Sequence, residues 1–217
     1  METNAFRVTL DRNQAIAINV IPGHFTTANA HVNYFLDLWE LKTNISVARE
    51  VAVELAAPYL TSTPIDIIMC LERTVVLGTF TAEELRREGT AVMNTGSSIH
   101  VISPLSNING NLIFQDNAIE WIQNKNVLLI LASILSGETI EKAKECIEYY
   151  GGRLAGISSL FCPSETIKYD GNTLFTAKDI PGYKVYRALD CEMCKIGQKL
   201  DAIITSEGYT KLIEPQQ

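Results

Sequence analysis

The sequence predicts an α/β fold: a mainly parallel sheet flanked by helices, with a small cap from the terminal segments. Three observations carry that prediction. Strand candidates at residues 65–71, 98–102, 127–131 and 154–161 are short and rich in apolar residues. Helical signals fall before the first of them, between the first and second, and between the third and fourth, and strands alternating with helices imply parallel pairing covered on both faces. The length of 217 residues, 47% of them hydrophobic, suffices for one domain with its own core.

Residues 44–57 read as the first helix. Val47, Ala48, Val51, Ala52 and Leu55 recur at helical spacing, and Pro58 stops it. Residues 65–71 follow as a buried strand. Thr81-Ala82-Glu83-Glu84 has the pattern of a capping box, which places a helix start there, and Gly89 is its expected stop. Residues 98–102 form the next strand candidate. Residues 104–110, rich in Pro, Asn, Ser and Gly, read as an exposed loop. Residues 127–131 are the most apolar strand. Residues 137–150 form a helix with Ile140, Ala143 and Ile147 on its inner face, ended by Gly151-Gly152. Residues 154–161 supply another strand. Residues 1–44 and 162–217 fall outside the alternation and are expected to form the cap and a C-terminal extension of a single domain, 1–217.

Charge and composition exclude several classes. Lys plus Arg number 18 against 25 Asp plus Glu, a formal net charge of -7. Nucleic-acid binding needs a basic face that displaces counterions, so no nucleic-acid partner is expected. The longest apolar run, residues 127–132, is far too short to cross a bilayer, so no membrane partner is expected. The start Met1-Glu2-Thr3-Asn4 lacks a basic segment followed by an apolar one. Five cysteines at scattered spacing fit reduced thiols and a cytoplasmic location.

In open parallel sheets, ligands bind beyond the carboxyl ends of the strands. The turn Ser136-Gly137-Glu138-Thr139 lies there, where a strand runs into a helix. Outward N–H groups and the positive end of the helix dipole suit a phosphate. Gly137 permits close approach of the backbone, and Ser136 and Thr139 add hydroxyls. A plain N-cap and a tight turn would leave the same pattern.

This stretch resembles the signature of the type I phosphoribosyltransferases, which is four apolar strand residues, two acids, three variable residues and Thr-Gly-x-Thr. Val127, Leu128, Leu129 and Ile130 match the strand, and Ser136 to Thr139 match the phosphate loop with Ser for the first Thr. The resemblance is nearest to the orotate phosphoribosyltransferases. Asn33-Tyr34-Phe35-Leu36-Asp37 is similar to their aromatic-x-Asp stretch, and Glu72, Arg73 and Thr74 follow a strand where the family has its pyrophosphate loop. The resemblance implies ribose 5-phosphate transfer from phosphoribosyl pyrophosphate to a base, magnesium as cofactor if the chain is active, and a homodimer.

Three departures run against that activity. The two expected acids are Leu131 and Ala132. No Lys or Arg occurs between Arg87 and Lys125, where the family's basic mobile loop falls at residues 103–111. Ala30, His31 and Val32 stand where the orotate enzymes have a Lys and a Ser. Preorganised charge is usually the largest catalytic term, so loss of the acids and cations is severe. The sequence therefore points to a degenerate member that binds a small phosphorylated ligand, a nucleotide or sugar phosphate, at Ser136–Thr139. An active orotate or other nucleobase phosphoribosyltransferase and a structural or assembly protein are the alternatives. No catalytic residue is assigned.

Cys191-Glu192-Met193-Cys194 offers half of a structural zinc site. Cys162, His24 or His31 would complete it only if the fold brought them close. Two thiols beside a turn is the simpler reading, and no metal site is assigned.

Overall fold

The computed structural model describes residues 4–28, 30–89, 93–108, 110–135, 137–163, 169, 171–205 and 208–212. Its centre is a five-stranded sheet in the order β10-β9-β8-β4-β5. These strands are β4 (Ile67–Cys70), β5 (His100–Ile102), β8 (Asn126–Ser133), β9 (Arg153–Cys162) and β10 (Asn172–Thr176). Every neighbouring pair in it is parallel. As the sequence predicts, helices cover both faces.

Strand periodicity divides the core in two. On one face, Ile68, Cys70, Leu128, Ile130 and Ala132 pack against α2 (Ile45–Ala56) and α3 (Val75–Arg86). On the other, Ile67, Met69, Val127, Leu129 and Leu131 pack against α4 (Asp116–Ile122) and α5 (Glu138–Tyr149). Tyr59 ties the layers together, its hydroxyl donating to the Ile157 carbonyl at 2.8 Å in the buried interior.

The terminal segments build a second sheet. β1 (Phe6–Leu10), β2 (Asn13–Thr26), β3 (His31–Asp37), β11 (Val185–Tyr186), β12 (Ala202–Thr205) and β13 (Gly208–Lys211) make a second sheet of six strands. β2 and β3 pair antiparallel, while β12 joins β2 in parallel at Ala202–Phe25. The short α1 (Trp39–Thr43) links this sheet to α2. β10 also lies within the expected extension, yet it completes the parallel sheet.

Two local expectations are corrected. α3 begins at Val75, so the Thr81 capping pattern lies in its interior. Leu77, Gly78, Ala82 and Leu85 bury one continuous face, and that packing outweighs a local capping signal. Residues 104–110 are not wholly loop, because β6 (Leu105–Ser106) and β7 (Leu112–Ile113) pair as a small hairpin. No helix among the described residues is long and apolar enough to cross a membrane.

Candidate functional site

The chain leaves β4 for the edge strand β5 and returns to β8 on the other side of β4. The order reverses between β4 and β8, and a ligand crevice is expected at their carboxyl ends. A crevice of about 300 Å³ lies there. Glu72 follows β4, and Ala132 to Leu135, Gly137 and Thr139 line it from the end of β8 and the start of α5. Phe35 to Trp39 and Lys42 line it from the other side. The second sheet contributes Thr27, Ala28, Ile204, Thr205 and Gly208.

The turn after β4 is built against local preference. Glu72 and Arg73 are consecutive non-glycine residues in the left-handed region, at φ 53° and 62°. Such conformations persist only where surroundings impose them, and they concentrate at functional sites. Here the surroundings are explicit. Glu72 Oε2 accepts the amides of Ala132 and Ser133, each at 2.9 Å. Lys42 Nζ donates to the Glu72 carbonyl at 3.2 Å. Thr74 is fully buried, and its hydroxyl meets the Leu71 carbonyl at 2.7 Å and the Ile130 carbonyl at 3.0 Å. Burial raises the Glu72 carboxyl above its ordinary range, although the two amides and Lys42 oppose the shift.

The start of α5 forms the opposite lip. Gly137 is its N-cap at φ 80°, a conformation that glycine adopts without a Cβ penalty. Its carbonyl accepts the amides of Ile140 and Glu141. Glu138 and Glu141 lie in the first turn, where negative charge complements the helix dipole.

The sequence-derived candidates separate in space. Gly137, Thr139 and Glu72 line the crevice. The Glu138 side chain is exposed, as is Arg73. Thr74 turns its hydroxyl into the fold. Ser136 lies outside the described residues. Phe35, Leu36 and Asp37, marked by the aromatic-x-Asp stretch, do reach the crevice. Lys42 was not singled out from the sequence. It is buried, and it is the only Lys or Arg among the described lining residues. A lysine in a short helix carries no signal of its own, and only packing turns it inward.

Away from the crevice, His24, His31, Cys191 and Cys194 converge, with their ligand atoms all within 4.8 Å of one another. Cys162 is not among them and packs in the core beneath α5.

No family model matches the chain, and no curated protein matches it. Solved structures do. The phosphoribosyltransferase of Corynebacterium diphtheriae is 14% identical, with 74% of this chain and 90% of that one covered at a TM-score of 0.51. The UMP synthase of Leishmania donovani is 19% identical over 70% of this chain and 32% of that one, at 0.52. The adenine phosphoribosyltransferase of Trypanosoma brucei is 14% identical over 81% and 80%, at 0.50. With its helix-flanked parallel sheet, the chain is similar in fold to the type I phosphoribosyltransferases.

Proposed function

We propose that this protein binds a small phosphorylated ligand, a nucleotide or a sugar phosphate, in the crevice between β4 and β8. We propose further that it does not perform the standard phosphoribosyl transfer. One observation carries this reading. Leu131 and Ala132, at the positions of the family's acid pair, are buried on opposite faces of β8, and the Ala132 and Ser133 amides are held by Glu72. Neither side chain accepts a hydrogen bond from a ribose hydroxyl or stabilises positive charge at an anomeric carbon. Neither offers an oxygen to magnesium, which requires a near-octahedral set of oxygens. These two residues do not fit the metal.

The distribution of cations supports binding of a single phosphate over handling of a pyrophosphate. Lys42 is the one Lys or Arg of the described lining residues, and the β6–β7 hairpin contains neither residue type. Gly137 and Thr139 bring the positive end of α5 to the same crevice. A working orotate or other nucleobase phosphoribosyltransferase is the second reading. The observation in its favour is the Glu72 carboxylate, which reaches the end of β8 from the neighbouring strand.

Calorimetric titration distinguishes these readings. Nucleoside monophosphates are expected to bind without magnesium, and a Gly137→Trp variant is expected to lose that binding because the indole fills the turn. Unchanged affinity in the variant would place the ligand elsewhere. Magnesium-dependent binding and turnover of phosphoribosyl pyrophosphate with a base would establish the enzyme instead. A stable dimer that binds none of these would favour a structural role.

A further inference from the structure

We propose that His24, His31, Cys191 and Cys194 form a structural zinc site that joins the two ends of the chain. All four ligand atoms lie within 4.8 Å of one another, and four of their separations are close to those of a tetrahedral shell. His24 Nε2 lies 3.1 Å from His31 Nδ1, 3.4 Å from Cys191 Sγ and 3.6 Å from Cys194 Sγ. Cys194 Sγ lies 3.3 Å from His31 Nδ1. Zinc bonds of about 2.0–2.1 Å to nitrogen and about 2.3 Å to sulfur, at tetrahedral angles, require about 3.3 Å between nitrogens and about 3.6 Å from nitrogen to sulfur.

Hydrogen bonding alone does not account for this cluster. His24 Nδ1 lies 2.9 Å from the Gln198 carbonyl, which only accepts, so the Nδ1 proton is fixed there. Nε2 of the neutral ring then carries one lone pair and no proton. Three groups crowd that single lone pair: one imidazole nitrogen and two sulfurs. One hydrogen bond satisfies one of them. A common cation satisfies all four ligands, and the Gln198 carbonyl becomes the outer partner that orients a metal-bound histidine.

The backbone is shaped to deliver these ligands. The β2–β3 register shifts between Pro22 and Phe25, an irregularity that places His24 across from the strand carrying His31. The His24 amide donates to Asp201 Oδ2 at 2.7 Å, and the Asp201 amide donates to the His24 carbonyl at 2.8 Å. Cys191 is the N-cap of α6 (Glu192–Lys195) and Cys194 lies within it, and the turn closes with the Gly197 amide on the Cys194 carbonyl. His24, His31 and Cys191 are buried and Cys194 is exposed, so the ion has a route in from solvent. Binding converts the two thiols to thiolates with release of two protons, and their charges balance the divalent ion. All four protein ligands leave no open position, so the site is structural.

Metal analysis of protein purified under reducing conditions without added zinc is expected to give about one zinc per chain. Replacement by cobalt(II) is expected to give the intense visible bands of a tetrahedral ion and thiolate-to-cobalt charge transfer. Cys194→Ser, at the exposed ligand, is expected to reduce zinc to below about a tenth of an equivalent, while Cys146→Ala retains it. Should Cys194→Ser fail to fold, titration of the unaltered protein with a mercurial reagent reads the same site, because zinc leaves as two thiols react. Metal-free protein with free thiols or a Cys191–Cys194 disulfide, or iron in place of zinc, would overturn the assignment. The outcome is independent of whether the crevice binds phosphate.

Discussion

At the residue scale, the crevice turns on Glu72. Its backbone is left-handed, its carboxylate holds two amides of β8, and its carbonyl receives Lys42. Burial lifts its carboxyl above the ordinary value of 4.5. As pH rises, the unfolded chain therefore loses this proton first. From about 4.5 to the raised value, the folded state holds more protons than the unfolded one, and this group's contribution to stability falls. Glu72→Gln removes the titration. The difference in urea midpoint, variant minus unaltered protein, is expected to rise across that window. A pH-independent difference would mean that the carboxyl titrates alike in both states.

At the scale of elements, close approach of helix to strand sets the crevice. α3 lies on β4 through Gly78, where an added Cβ would stand 2.3 Å from Cys70 Sγ and 3.1 Å from a Val101 methyl. Cys70 is itself buried, with its thiol pushed up to about 12 by desolvation. Neither neighbour is the free end of a long side chain, so Gly78→Ala must displace the Cys70 thiol or the helix. The expected cost is about 1–3 kcal/mol, read as a lower denaturation midpoint. Because the turn at Glu72 connects β4 to α3, the phosphate binding proposed for the crevice should weaken in the same variant. α5 behaves differently. Its N-terminus is capped by a glycine in the left-handed region without a side-chain cap, so its start is set by backbone geometry.

For the whole molecule, the consequence lies in how the two sheets meet. The second sheet supplies Thr27 and Ala28 to the crevice from the turn between β2 and β3. His24 and His31 flank that turn, so a zinc ion held with Cys191 and Cys194 would brace one wall of the crevice against the C-terminal segment. Chelation is expected to accelerate amide exchange at residues 24–28, 30–31, 191–198 and 202–205. Exchange in β8, buried between helices on both faces, should hold its rate. Equal acceleration in both sheets would show that the metal governs global stability.

Much of the central fold was legible because its signals are local and periodic. Residues 127–131 read as a buried strand, and Ile140, Ala143 and Ile147 as the inner face of a helix; β8 and α5 lie there. The turn into α5, with Gly137 at its bend, was legible for the same reason. Thr81 misled because a capping pattern is local while the start of α3 is decided by its buried face. The terminal sheet joins residues far apart in the chain, such as Phe25 and Ala202, and no local pattern announces such pairings. By itself, the sequence determined the alternation of buried strands and helices and the apolar pair Leu131 and Ala132 at the end of β8. Only the tertiary structure decided that Lys42 enters the crevice, that Glu72 crosses to β8, and that two histidines meet two cysteines from the far end of the chain. Periodicity fixes which face of an element is buried, whereas contacts between distant segments form only when the whole chain packs.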